Sequence, residues 1–251
     1  MPNVASFAHI VGLTDQARDA FRASSSPKAD EVEVVFGLFV DLLSGVGAVT
    51  PAVEITATRL QASIGILSQA METVFAMYSL SESGFWDNAL ALKRNFSELL
   101  LTAIAVGYDE RCFIDWKHDR GNMASFDKVY RRAESSHCVP ALEKELLPLL
   151  KRYWIESSHR FSHNVKRASV RTMPRDGSIS LEPNTVTPNI PGMRLATLRN
   201  MMLNVVSVLA GVSDFPRRAY ESRESFPIGE SLIDRINACS QDEAWKTEPT
   251  I

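Results

Sequence analysis

Apolar residues return every three or four positions along nearly the whole chain, while convincing period-2 alternation is almost absent. An apolar stripe at helical spacing has to be buried against another helix, so helix-on-helix packing is the architecture left open. The expectation is an all-α long-helix bundle. A chain of 251 residues, 45% hydrophobic and 23% charged, can bury one sizeable core. Disorder, collagen and a disulfide scaffold are excluded as overall descriptions.

The turn signals divide this helical pattern into elements. A weak helix is predicted after Thr14, followed by the Ser-rich SSSPKAD turn, so residues 1–26 read as an N-terminal arm. Pro27 suits a first helical turn, and Val32, Val35, Leu38, Phe39, Leu42 and Leu43 form the stripe that follows, up to Gly45 and Gly47. Pro51 opens a long helix to about Leu80, and Gly84 separates it from another between about Phe85 and Gly107. Short helices are predicted near Asp109 to Trp116 and Ser125 to Ala133. Pro140 begins a further long one, in which Pro148 is placed to bend the helix and not to end it. Residues 172–192 carry four prolines and a D-G turn and read as one irregular insertion. A last long helix runs from about Met193 through Ala210 towards Tyr220. Residues 27–222 thus make one bundle domain, and 223–251 a C-terminal tail.

Charge narrows the function classes. With 27 Lys+Arg against 30 Asp+Glu the net charge is −3, so diffuse counterion release from nucleic acid is not available and any anionic ligand needs a local patch. Three widely spaced cysteines, Cys112, Cys138 and Cys239, form no C-x-x-C and no closed set of bridges, which points to a reduced, cytoplasmic setting and to packing roles for the thiols. The N-terminal MPNVASFAHIVGLTDQ lacks a basic region and a long apolar core. Leu99 to Gly107, read as the most apolar stretch, is far below the roughly 20 residues that cross a bilayer, so no membrane partner is expected. No phosphate-binding loop, dinucleotide fingerprint or nucleophile elbow is present, and no cofactor is implied. Trp86, Trp116 and Trp154 fall at helical spacing and read as core, with stacking on Arg160 or on a base as the alternative for a tryptophan beside it.

Two polar features stand out against the core pattern. In FWDNALALKRNFSELLLTAIAVG, Glu98 falls about 40° from Arg94 around the helix, on a face shared with Leu90, Leu101 and Ala105. Phe85, Phe96, Leu92, Leu99 and Leu100 occupy the other directions, so this helix is expected to be central. Burying either charge alone is expensive, and Arg94 and Glu98 should pair with each other or with a facing polar group. The pair is either structural or part of a site.

The second feature is KRYWIESSHRFSHNVKR. Arg152, Glu156, His159 and His163, with Glu145 upstream, form one stripe about 60° wide beside an apolar arc of Leu142, Leu146, Leu149, Leu150, Tyr153 and Phe161. Ser157, Arg160 and Asn164 continue that arc with polar groups. Four readings are open. The stripe can be a solvated face with an Arg152/Glu156 pair. His159 and His163 at i,i+4 can hold a metal, although the Glu of H-E-x-x-H is absent, no third ligand is identifiable and Arg160 repels a cation, so no metal is assigned. Arg152 can hold a scissile phosphate while His159 or His163 moves the proton of a ribose 2′-OH. Last, Arg, His and Asn can contact an anionic ligand or a protein partner without chemistry. Lys166, Arg167 and Arg171 follow directly and would supply the local phosphate-binding patch, or simply a solvated helix end.

Ala89-Leu90-Ala91-Leu92-Lys93-Arg94-Asn95-Phe96-Ser97-Glu98 with Tyr108-Asp109-Glu110, and later Tyr153-Trp154-Ile155-Glu156-Ser157-Ser158-His159-Arg160-Phe161-Ser162-His163, resemble two helices of a bacterial all-helical family of unknown function. That family is grouped with HEPN-like proteins, the higher-eukaryote and prokaryote nucleotide-binding helical bundles. The resemblance covers about half of the chain. It implies a HEPN-like fold, a homodimer, and a metal-independent endoribonuclease or RNA-binding role in defence or toxin-antitoxin systems, with an antitoxin as protein partner. It also carries His163 over as the family histidine and Arg94/Glu98 as its helix pair. Arg152 and His159, six residues between them, fit the Arg-x4–6-His spacing of that group. The combined expectation is one interhelical pocket lined by Arg94, Glu98, Arg152, Glu156, His159, Arg160, His163 and Asn164. In the alternative, the chain is a non-catalytic binding or interaction module in which the cluster is structural.

Overall fold

The computed structural model describes residues 7–47, 54–121, 123, 125–172, 190–220, 234, 235 and 238. Seven long or short helices carry the described bundle: α1 (Phe7–Gly47), α2 (Glu54–Glu82), α3 (Trp86–Tyr108), α4 (Glu110–Lys117), α5 (Phe126–Ser135), α6 (Ala141–Thr172) and α7 (Ile190–Tyr220). Among the described residues there is no strand. The all-α bundle read from the periodicity is what the chain forms.

Helix α3 is the hub, packed against α2, α4, α5, α6 and α7. Its sequence explains this position. Ala89, Phe96, Leu100, Leu101, Ala103, Ile104, Ala105 and Val106 are all buried and point in every direction around the axis, and only the first half of the helix exposes side chains, Arg94 and Asn95 among them. The alanines let neighbouring helices come close, and Gly107 takes this furthest: a Cβ there would lie 2.7 Å from Val212 Cγ2 of α7. Helix α7 in turn packs on α1, α2 and α3. Its stretch Leu195–Ser213 is long and apolar enough to cross a membrane by length and composition, but most of it is buried inside the bundle. The longest apolar window therefore lies here and not at Leu99 to Gly107.

The N-terminal reading needs correction. Residues 7–47 form one continuous helix through the Ser-rich stretch and Pro27, and the boundary drawn at residue 26 falls inside it. Phe21 is buried and meets Tyr78 of α2 edge-on at 5.8 Å. Beyond Pro27, Val32, Val35, Leu38 and Leu42 are buried as well. With apolar anchors on both sides, tertiary packing outweighs the hydrogen bond that a proline within a helix cannot donate.

The irregular insertion falls largely on residues 173–189, outside the described residues. So does most of the tail; Arg235 alone is tied to the bundle by a described contact, an ion pair with Asp41 of α1 at 3.0 Å.

Candidate functional site

Arg94 and Glu98 pair as their i,i+4 spacing requires, with Arg94 Nε 3.0 Å from Glu98 Oε1. The expected burial does not hold: the two side chains are 53% and 42% exposed. Farther along the same face Leu101 and Ala105 are buried, so the exposure is local to this part of α3. What fixes the Arg94–Glu98 pair is Trp154 of α6, whose Nε1 donates to the same Glu98 oxygen at 2.9 Å. The Arg94 guanidinium lies over the Trp154 ring, 5.2 Å from its centroid.

The contact continues as a ladder across three helices. Trp154 stacks on Phe126 of α5 at 5.0 Å with 13° between the rings, and Phe126 on Tyr130 at 6.1 Å and 27°. Lys151 Nζ of α6 closes the far end, 4.9 Å from the Tyr130 centroid. Burial, then the nearby Glu134 carboxylate, pushes the Tyr130 hydroxyl above its ordinary range. Ser157 fixes the register of α6 by donating to the Leu90 carbonyl of α3 at 3.0 Å. Sequence reading placed Trp154 in the core and did not see it as the partner of Glu98. The available signal was its N–H, because a partly buried indole takes an acceptor.

Arg152 is not part of this cluster. On α6 it lies about 160° around the axis from Trp154, as does Glu156. Arg152 approaches Glu156 at 3.9 Å, and the two side chains are 55% and 42% exposed. The structure thus brings Arg94, Glu98 and Trp154 together and sends Arg152 and Glu156 to the other side of the helix, so these four charges do not line one pocket. His159, Arg160, His163, Asn164, Lys166, Arg167 and Arg171 all belong to α6, whose backbone is helical to Thr172, but their side chains lie outside the described residues. Among the described residues no three His, Cys, Asp or Glu side chains converge as metal ligands.

Two further polar clusters escaped sequence reading. Asp109 caps α4, accepting from the Arg111 and Cys112 amides at 2.9 and 3.1 Å, and its second oxygen accepts from Ser136 Oγ at 3.0 Å. Asp115, buried on the same short helix, binds Arg132 of α5 directly and Arg120 at 3.3 Å. The bond to Asp115 pushes the Arg132 guanidinium up. Burial, reinforced by Asp109, pushes the neighbouring Cys112 thiol up to about 12, so it is an inert packing group at neutral pH. Trp116, read as core, is 39% exposed.

The third cluster is buried. Tyr108, the last residue of α3, donates its hydroxyl to Glu143 Oε1 in the first turn of α6 at 2.6 Å. Glu143 Oε2 is buried and takes no hydrogen bond. A Cβ built at Gly211 of α7 would overlap both Tyr108 Oη and Glu143 Oε1, so only glycine lets α7 approach the pair.

None of the protein families, curated proteins or solved structures compared with the chain matches it. The chemistry has to be judged on the groups themselves. The ladder consists of a guanidinium, a carboxylate, three aromatic rings and an ammonium; it includes no imidazole and no thiol. The Trp154 ring is engaged by both Arg94 and Phe126, so within the ladder it serves as a packing and cation-binding surface.

Proposed function

We propose that the chain is a non-catalytic helical binding module in which the Arg94–Glu98–Trp154 cluster clasps α3, α5 and α6. One observation carries this reading: Glu98 Oε1 holds Arg94 and Trp154 at once, while the indole ring also meets the Arg94 guanidinium and stacks on Phe126. Groups committed to each other in this way act as a fastener, not as a proton relay. Incubating the wild-type protein with mixed-sequence RNA, without added metal, tests it. The expected result is intact RNA, together with a measurable loss of unfolding free energy in Glu98→Gln; cleavage by the wild type would overturn the reading.

A second reading has its own support. The Arg152 guanidinium is 55% exposed and only 3.9 Å is its approach to Glu156, on the helix that also carries His159, His163, Lys166, Arg167 and Arg171. That helix face is where a HEPN-like, cytoplasmic, metal-independent endoribonuclease would hold RNA, as a homodimer restrained by an antitoxin. In this case RNA cleavage would be lost in Arg152→Ala, His159→Ala and His163→Ala at unchanged stability, and kept in Arg94→Gln.

A further inference from the structure

Arg94 combines two properties that rarely occur together on a protein surface. Its side chain is 53% exposed, yet it is held at two points, through Nε by Glu98 and by its position over the Trp154 ring. Among the described residues none accepts a hydrogen bond from its Nη1 or Nη2. The end of the guanidinium therefore presents two parallel N–H groups in fixed orientation, the geometry that takes both oxygens of a carboxylate. A long cationic side chain normally loses rotamer freedom when it is captured by a partner; here the fold has already imposed that loss. Arginine and tryptophan are also the residue types that concentrate binding energy in protein interfaces.

We infer that the Arg94 end of the ladder is a docking point for a single carboxylate side chain of a protein partner. This deepens the binding-module reading and rests on it. The local charges favour one carboxylate over a polyanion. Glu98 stands beside Arg94, and Glu134 stands close enough to Tyr130 to act on its hydroxyl at the Lys151 end. A strand of phosphates laid along the ladder would meet both carboxylates, whereas one carboxylate on the Nη edge meets neither head-on. With a net charge of −3, the chain adds no long-range attraction for nucleic acid.

The full-length protein is titrated with sodium acetate, sodium phosphate and sodium chloride at matched ionic strength, following the arginine Nε–Hε and tryptophan indole resonances by NMR. Acetate is expected to move the Arg94 and Trp154 signals saturably and beyond the chloride response. Arg94→Gln should weaken that response about tenfold, the scale of one lost charge-assisted hydrogen bond, and Lys93→Gln should leave it intact. A response no larger than that of chloride, or one that survives Arg94→Gln, would overturn the inference. So would saturation by phosphate without acetate, which would point to nucleic acid. RNA cleavage by the wild type would instead remove the binding-module reading and leave the acetate result in place, so the two failures are distinguishable.

Discussion

The interface between α3 and α6 is fastened by polar contacts at both ends, and the two ends are built on opposite terms. At one, Arg94, Glu98 and Trp154 meet half in water. At the other, Tyr108 and Glu143 meet in the interior, against the bare backbone of Gly211. In water a lost contact is replaced by solvent; in the interior it leaves a desolvated polar atom with nothing to bind. The same helices should therefore tolerate change at the Arg94 end and resist it at the Tyr108 end.

The strongest test is Gly211→Ala. The added methyl must separate the Tyr108–Glu143 pair or push α7 away, and a loss of about 3 kcal/mol is expected by denaturant unfolding. Tyr108→Phe comes next. It deprives the buried Glu143 carboxylate of its donor and should cost about 2 kcal/mol. In the double variant the two losses should fall short of their sum, since phenylalanine removes the oxygen that the methyl meets. Full additivity would mean that Gly211 is needed for some other contact.

At the exposed end Trp154→Phe keeps an aromatic ring against Phe126 but loses the bond to Glu98 and part of the indole contact with Arg94, for about 1 kcal/mol. Arg94→Gln should cost about 0.5 kcal/mol or less, and the difference from wild type should shrink in about 1 M salt. A larger, salt-independent loss would place Arg94 on the buried side of the comparison.

The thiols offer the same contrast as chemistry. Cys112 is buried and Cys138 exposed. At pH 8, peptide mass spectrometry should find Cys138 alkylated while Cys112 is still free. Because the fold raises the Cys112 thiol from 9.0 to about 12, it favours the protonated form. That contribution to stability is complete below about pH 9 and is lost as the pH rises towards 12. Cys112→Ala should flatten the alkaline limb of the stability profile, and an unchanged limb would show that the thiol does not set it.

Much of this architecture was legible in the chain. Gly84, Pro140 and the 3.6-residue apolar period located α3, α4, α5 and α6 to within a few residues, because helix formation depends on neighbours in sequence. The Arg94–Glu98 pair was legible for the same reason. At the Ser-rich stretch and Pro27, local turn chemistry pointed to a break that the buried Phe21 on one side and Val32 and Val35 on the other did not permit. The site was less legible. Periodicity said that Arg94 and Glu98 share a face of α3, and that Arg152 and Glu156 share one of α6, but it carried no information on whether those faces meet.

The sequence by itself determined which residues become helical, which side of each helix is apolar, and which charges sit one turn apart on a common helix. Only the tertiary structure decided that Glu98 binds Trp154, that Arg152 turns away from Arg94, and that position 211 has room for no side chain. The division has a physical basis. Backbone hydrogen bonding ties a helical residue to those three and four places away, whereas the rotation of one helix against another follows from the shapes of side chains scattered over the whole chain.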